Sequence, residues 1–347
     1  MTRRAAAPRD PYGIGPARPY VGPLLALLAL FVVGAITVGL MNGQLPFRIG
    51  SGGPGTGDGP ARTPAPSGQV IVEPDVTFPG TIVYAKAGNI WLQSGDDVRQ
   101  LTDSGRDSMP AFSPDGEFVY FVRETVGKAK HQAGNVYTWF DLQTPVLAKV
   151  PVDGSAVPQR VINTQIKDGR DTWFYWIREP TLTAGRPMAL VSDGPNPRES
   201  RMVVQLYDEA AGTFAKPEVA AGIGHQDPAW APNGSYLALV KNDRVGSRGA
   251  PQIMKWNPAN NRVFTITGPG YLSPAWSPDS LYLAATKTDS FGTDIVILDS
   301  ITGHELVRLT NDGHSFSPVW SPAGDAIAFL RLNGSITDLV MVTLAGP

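Results

Sequence analysis

Pro274-Ala-Trp-Ser-Pro-Asp-Ser280 is one copy of a seven-residue motif that occurs four times in the chain. The other copies are Pro110-Ala-Phe-Ser-Pro-Asp-Gly116, Pro228-Ala-Trp-Ala-Pro-Asn-Gly234 and Pro318-Val-Trp-Ser-Pro-Ala-Gly324. The last three copies begin 46 and 44 residues apart, which indicates a repeated structural unit. Proline fixes φ in the turn, aspartate can bond its own backbone, and glycine accepts positive φ. The motif therefore predicts a tight hairpin turn in each unit.

Strands are predicted on both sides of this turn. An alternating apolar segment follows each copy, at residues 118–122, 236–240, 281–285 and 326–330. Third strands are predicted to begin at Asn89, Asn135, Asp294 and Asp338, and fourth strands end in Leu101-Thr102, Ile266-Thr267 or Leu309-Thr310. Four short antiparallel strands in about 45 residues are typical of one propeller blade. The large residue two positions before the turn proline, such as Trp276, is predicted to wedge between neighbouring sheets.

The complete pattern resembles the repeat of the TolB-type six-bladed β-propellers over roughly residues 80 to 345. The resemblance implies an all-β fold, a six-bladed propeller of four-stranded antiparallel blades, and we expect a single transmembrane α-helix before it. The predicted blades are residues 80–104, 107–164, 171–222, 225–268, 271–311 and 315–345. Similar repeats occur in periplasmic scaffolds, surface proteins and the caps of oligopeptidases, so the resemblance indicates the fold better than the function.

Closure of the ring requires one further strand. The last unit has three predicted strands before Pro347, and Gln69–Glu73 has the β-propensity of a strand in its Val-Ile-Val core. We predict that this segment is the outermost strand of the last blade, within a propeller domain of residues 69–347. The alternative is that residues 69–79 lead into the first blade as its innermost strand.

An apolar segment near the N-terminus predicts a membrane anchor. Val21–Met41 contains 21 residues and no charge, and as a helix it would measure roughly 31 Å, enough to cross a bilayer. Residues 1–20 carry four arginines against one aspartate, which predicts a cytoplasmic tail and an external propeller at the bacterial cell membrane. Residues 42–68 are rich in glycine and proline and are predicted to be a tether. A cleaved signal peptide is the alternative, but its apolar run is usually about 7 to 15 residues long.

The composition excludes several functional classes. The chain has no cysteine, so it can form neither disulfides nor thiolate metal sites. Its net charge of −2 provides no broad basic surface for nucleic acid. It contains no Gly-x-Ser-x-Gly elbow, no P-loop and no dinucleotide fingerprint. We therefore predict a protein that is not an enzyme and that has no cofactor and no metal ligands.

Candidate binding residues lie in the loops that lead into the innermost strands. Propeller geometry gathers these loops at one end of the central channel. The candidates at this channel mouth are Arg106, Asp107, His225, Asp227, Tyr271 and His314. They are predicted to bind a protein tail or a small ligand. The alternative is that these polar groups only form hydrogen bonds between neighbouring blades.

A second candidate surface is aromatic. Trp173 and Trp176 belong to an unusually aromatic segment, and they would form a partner face if they are exposed. Packing between blades is the alternative. The insertions Thr125–Ala133 and Thr183–Arg198 are predicted to be long loops, which tend to carry recognition.

Three functional hypotheses follow. The first is an accessory subunit of a larger membrane complex, for example an energy-transducing one, in which the propeller docks on other protein subunits. The second is a free cell-envelope scaffold or sensor similar to TolB. The third, an enzyme or metal-dependent surface protein, is opposed by the missing motifs.

Overall fold

The described part of the chain is built of β-strands. A computed structural model describes residues 78–196, 199–245 and 248–344, and no helix occurs among them. Apart from the tip of the last hairpin, Leu332–Thr337, these residues belong to one compact unit.

Six antiparallel sheets form the six blades of a β-propeller. The first blade contains β1 (Phe78–Lys86), β2 (Asn89–Gly95) and β3 (Asp97–Gln100), and the second contains β4 (Asp107–Phe112), β5 (Phe118–Ala133), β6 (Val136–Pro151) and β7 (Gln159–Ile162), together with β8 (Gln165–Asp168) and β9 (Asp171–Phe174). The third contains β10 (Ile177–Thr181), β11 (Met188–Ser192), β12 (Val203–Asp208) and β13 (Thr213–Ala215), and the fourth contains β14 (Gly224–Trp230), β15 (Leu237–Val245), β16 (Arg248–Asn257) and β17 (Arg262–Thr265). The fifth contains β18 (Tyr271–Trp276), β19 (Tyr282–Asp289), β20 (Gly292–Asp299) and β21 (Glu305–Arg308), and the sixth contains β22 (Ser315–Trp320), β23 (Ala326–Asn333) and β24 (Ile336–Thr343).

The repeated motif forms the predicted turn between the first two strands of a blade. The last residue of the motif has positive φ, 73° at Gly116 and 78° at Gly324. Its N–H donates to the carbonyl of the motif's fourth residue, from Gly116 to Ser113 at 2.9 Å and from Gly324 to Ser321 at 3.0 Å. The prediction of a tight hairpin at this motif is confirmed.

The tryptophan of the motif joins each blade to the one before it. The indole N–H of Trp230, Trp276 and Trp320 donates to a carbonyl of the preceding blade, at Pro187, Ala229 and Ala275 respectively, over 3.0 to 3.1 Å. Trp276 is buried among apolar side chains of the fourth and fifth blades. The tryptophan that the sequence predicts to wedge between neighbouring sheets therefore also donates a hydrogen bond to the preceding blade.

A threonine at the end of the repeat identifies the strands of the first blade. The hydroxyl of Thr267 accepts the N–H of Ile253 in β16, and that of Thr310 accepts the N–H of Ile295 in β20, both third strands. Thr102 makes the same bond with Ile90 in β2. The first sheet therefore contains strands two to four of a blade, whereas the last sheet contains strands one to three. Gln69–Glu73, the predicted closing strand, lies outside the described residues.

One predicted blade boundary and two predicted loops are wrong. The predicted third blade begins at Asp171, but Asp171–Phe174 is strand β9, which pairs with β8 and β5 of the second blade. The third blade begins at Ile177. The predicted loop Thr125–Ala133 is the far half of strand β5, and the predicted loop Thr183–Arg198 contains strand β11. Both are predicted as loops because the sequence is longer at these two places than one blade requires.

The predicted anchor Val21–Met41 and the tether of residues 42–68 lie outside the described residues. Within the part that is described, no helix of sufficient length and apolarity to span a bilayer occurs.

Candidate functional site

The innermost strands of five blades share an unusual backbone conformation. Each contains a bulge, and the residue before its proline has a φ between 48° and 55° although it is not glycine. These residues are Met109, Glu179, Asp227, Ser273 and Ser317. Because the innermost strands surround the central channel of a propeller, these residues form a ring around it, here called the bulge ring.

Hydrogen bonds connect successive members of the bulge ring. The N–H of Glu179 donates to the sulfur of Met109 at 3.3 Å, and the N–H of Asp227 donates to Oε2 of Glu179 at 2.7 Å. The N–H of Ser273 donates to Oδ2 of Asp227 at 2.7 Å. Ser317 departs from the series, because its N–H donates to the hydroxyl of Thr286 at 2.9 Å. In each case a side chain of one blade thus accepts a hydrogen bond from the backbone N–H of the positive-φ residue in the next blade.

The bulge ring places two carboxylates side by side. Burial and the nearby charge of Asp227 raise the pKa of Glu179, although the N–H of Asp227 and the guanidinium of Arg178 oppose the shift. A carboxylate of this kind next to a second one is suited to interact with a cationic or hydrogen-bond-donating group.

Two of the predicted channel-mouth residues have buried side chains with partners inside the fold. Both carboxylate oxygens of Asp107 accept hydrogen bonds from the guanidinium of Arg123, at 2.6 and 2.8 Å. Nδ1 of His225 accepts the N–H of Val204 at 3.1 Å, so Nε2 carries the proton that it donates to the carbonyl of Ala220 at 3.2 Å. The contact of His225 with Val204 joins the fourth blade to the third, as the alternative of hydrogen bonds between neighbouring blades predicts, whereas Asp107 and Arg123 belong to the same blade.

The other four predicted residues have different surroundings. Asp227 belongs to the bulge ring, whereas Arg106 and His314 are exposed. Tyr271 donates its hydroxyl to Glu305 over 3.4 Å, and the ammonium of Lys287 lies 5.3 Å from its ring. A binding role for the six residues remains a prediction.

Sequence reasoning did not select Glu179. The dipeptide Glu179-Pro180 occupies the place that Met109-Pro110, Asp227-Pro228 and Ser273-Pro274 occupy in their repeats. That shared proline was a usable signal, but the third blade lacks the rest of the turn motif, so its innermost strand was misplaced.

Two strands of the second blade, β5 and β6, are 16 residues long each and continue beyond the other strands of that blade. Strands β5 and β6 pair without interruption, from Phe118 opposite Pro151 to Ala133 opposite Val136. Strand β4, by contrast, pairs with β5 only as far as Arg123. The hairpin of β8 and β9 pairs with the far half of β5 through Lys130 and Thr172. Residues Val126–Gln143 and Gln165–Phe174 are here called the sheet extension.

Large apolar side chains are exposed on the sheet extension. The exposed fraction is 58% for Trp139, 47% for Phe140 and 39% for Trp173. Val136, Tyr137 and Leu142 on the same strand are also exposed. Trp176, directly after the extension, is 50% exposed. Both tryptophans of the predicted partner face, Trp173 and Trp176, are therefore exposed, and a partner face at them stays a prediction.

No group of three or more histidine, aspartate or glutamate side chains that could hold a metal ion occurs among the described residues. Two features of the described residues stand out: the carboxylates of Glu179 and Asp227 in the bulge ring, and the exposed aromatic side chains of the sheet extension.

Comparisons with known proteins agree with the fold. No family model matches the chain. The chain is 26% identical over 155 residues to an uncharacterized protein of Agrobacterium fabrum, a match that covers 43% of this chain and 45% of that protein. The chain thus spans less than half the length of this relative.

Solved structures of similar fold include two TolB proteins. TolB from Acinetobacter baumannii matches with a TM-score of 0.55 and 17% identity, over 76% of this chain and 61% of that one. A putative TolB from Agrobacterium tumefaciens matches with a TM-score of 0.52 and 14% identity, over 71% of this chain and 80% of that one. At these identities the likeness establishes the fold: the chain forms a TolB-like six-bladed β-propeller.

Proposed function

We propose that this chain is a non-enzymatic, membrane-anchored propeller that docks on other proteins, as an accessory subunit of a larger bacterial membrane complex. In this proposal Val21–Met41 crosses the membrane with the N-terminus in the cytoplasm, and residues 42–68 connect it to an external propeller. A TolB-like fold is compatible with a protein-binding scaffold but does not identify the partner.

The sheet extension is the observation that carries the proposal. The sheet extension exposes Trp139 on one face and Phe140 and Trp173 on the other, and each large apolar side chain left in water forgoes the free energy of burial. Tryptophan and other aromatic residues are enriched among the residues that dominate protein interfaces. The extension therefore has the composition of an interface that a partner covers.

A second candidate function is supported by the bulge ring. A free cell-envelope scaffold or sensor would bind a protein segment or small ligand at the channel mouth, where Glu179 and Asp227 present adjacent carboxylates. This site and the sheet extension involve different residues, so variants can separate the two functions.

Mild detergent extraction followed by identification of co-purifying proteins tests the proposal. We expect the unaltered chain to retain stoichiometric partner subunits and the double variant Trp139→Ser, Phe140→Ser to lose them. The matched control is Phe291→Ser, which removes an aromatic side chain that is 73% exposed on the fifth blade. Retention in the double variant with loss in Glu179→Gln would favour the channel-mouth function instead.

External protease on intact cells tests the proposed orientation. We expect it to remove the propeller without permeabilisation. Digestion only after permeabilisation would contradict an external propeller.

A further inference from the structure

The outer edge of β6 is open along the sheet extension. From Val136 to Gln143 this strand pairs with β5 on one side, and on its other side β7 pairs only with residues 147–149. No strand of the described chain pairs with the outer edge between Val136 and Thr144. In an antiparallel ladder half of the N–H and C=O groups point to each side, so this edge presents a row of backbone donors and acceptors.

This edge lacks the devices that normally prevent pairing with another strand. Between Val136 and Thr144 there is no proline, the register with β5 shows no bulge, and Asp141 is the one charged residue. Native proteins usually protect such edges with charges, prolines or bulges. An unprotected edge lined with aromatic residues is suited to receive an added strand.

The pairing register divides the extension into two chemically different faces. Directly paired residues share a face, so Trp139 lies beside Lys130, and Asp141 beside Lys128. Phe140 lies beside Ala129 on the opposite face, where the rings of Trp173 and His131 are 6.2 Å apart. A strand added to β6 would therefore meet an aromatic and cationic face on one side and an apolar face on the other.

The charge of Lys130 is not neutralised by a carboxylate. Its ammonium lies 4.1 Å from the centroid of Tyr137 and 5.7 Å from that of Trp139, and it has no carboxylate contact within the described chain. Lys128, by contrast, pairs with Asp141 at 2.9 Å. Lys167 of β8 pairs opposite Thr172 and so shares the face of Lys130. This face thus has three lysines against one aspartate, and Lys130 leans toward the side chains of the open edge.

We infer that the outer edge of β6, residues 136–144, binds an extended segment of a partner protein as an added β-strand in which acidic and apolar side chains alternate. The acidic side chains would face Lys130, and the apolar side chains would face Phe140 and Leu142. A second copy of this chain is the poorer occupant, because antiparallel pairing of two β6 edges would place two lysine-rich faces on the same side of one sheet. The inference rests on the proposed docking function and specifies its mode.

A labelled nonapeptide of alternating glutamate and valine is the probe, and its binding to the full-length chain in detergent is measured by fluorescence anisotropy. We expect it to bind more tightly than the matching lysine-valine peptide. Methylation of alternate amide nitrogens, which removes the edge hydrogen bonds and leaves the side chains in place, is expected to weaken binding by about tenfold or more.

Charge variants of the chain test the register. Lys130→Gln is expected to weaken binding of the glutamate-valine peptide by about 1.5- to 5-fold at low salt, as for an exposed ion pair. Lys167→Gln removes the same charge from the same face three strands from the edge, and it should have a smaller effect.

Three results would overturn the inference. They are equal binding of the methylated peptide, preference for the lysine-valine peptide, and self-association of the chain that Lys130→Gln strengthens. The peptide assay is independent of the co-purification test. If partner subunits are lost from the Trp139→Ser, Phe140→Ser variant while the methylated peptide binds as well as its parent, docking stands and strand addition fails.

Discussion

At the scale of single residues, this propeller is held together by a few side chains that each bridge two blades. The indole N–H of Trp276 reaches the carbonyl of Ala229, and the carboxylate of Asp227 accepts the N–H of Ser273. The tryptophan role follows from the sequence, because the residue recurs at a fixed distance from a turn. The role of Glu179 does not follow from the sequence, because it depends on a bulge in the third blade, where the repeat lacks the turn motif.

Replacement of Trp276 measures the strength of one such bridge. Trp276→Ala should lower the free energy of unfolding by about 3 to 5 kcal/mol, because it leaves a cavity between two blades. Trp276→Phe keeps most of the apolar volume and removes the hydrogen bond to Ala229, so we expect a loss of about 1 to 3 kcal/mol. Urea denaturation of both variants checks the order. An unchanged midpoint for Trp276→Ala would show that the indole does not bridge the blades.

The imidazole of His225 should make stability depend on pH. Burial lowers its pKa in the folded state, so the unfolded chain binds the proton more readily. A protonated ring would also lose the acceptor that Nδ1 offers to Val204. The stabilisation is therefore complete above the unfolded pKa of about 6.5 and is lost as the pH falls below it, with a slope of at most about 1.4 kcal/mol per pH unit.

Urea denaturation between pH 7.5 and pH 5 measures this dependence. His225→Gln keeps a side chain that can form hydrogen bonds and removes the titration, so its free energy of unfolding should fall less over this range. A parallel pH dependence in the two proteins would mean that other groups cause the acid sensitivity.

At the scale of elements, strands with local signals were predicted and strands that depend on distant partners were not. The turn motifs and the alternating segments after them contain their own structural information, and these strands occur where predicted. The far half of β5, Thr-Val-Gly-Lys-Ala-Lys-His-Gln-Ala, has no apolar alternation and was predicted as a loop. It becomes a strand because β6 and β9 pair with it on its two sides.

The sheet extension should be separable from the blade that carries it. Replacement of Val126–Gln143 by an Asn-Gly turn removes mostly exposed residues, so we expect the buried pairing of Phe121 with Ala148 to keep its amide protection. Hydrogen exchange checks this. A loss of protection throughout the second blade would show instead that the extension is part of the blade's cooperative unit.

At the scale of the whole molecule, the first and last blades meet. A Cβ placed on Gly80 would lie 3.4 Å from Pro322 of the sixth blade, much as one on Gly324 would lie 3.6 Å from Pro278 of the fifth. Gly80 therefore occupies the position of the turn glycine in the first blade. The strand that should precede this turn, the innermost strand of the first blade, is not among the described residues.

The spacing of the described strands now favours one of the two predicted closures. Ala85 pairs with Ile90, as Val240 pairs with Ile253 and Thr286 with Ile295. In the fourth and fifth blades the tryptophan that ends the innermost strand lies ten residues before this position, as Trp230 and Trp276 do. Ten residues before Ala85 is Asp75, and four residues before Gly80 is Val76, the two counts differing by one residue beside the register shift between Phe78 and Thr81. By either count we predict that Gln69–Glu73 belongs to the innermost strand of the first blade rather than to the outermost strand of the last.

Removal of residues 69–73 should distinguish the two closures by hydrogen exchange. If the segment is the innermost strand of the first blade, its loss exposes one edge of β1 and lowers the protection of Val83 to Ala85. If it is the outermost strand of the last blade, Asp338 to Val342 in β24 should lose protection instead. We expect the first result. Protection of Val70 to Val72 in the intact chain is required by both closures, and fast exchange there would mean that neither forms.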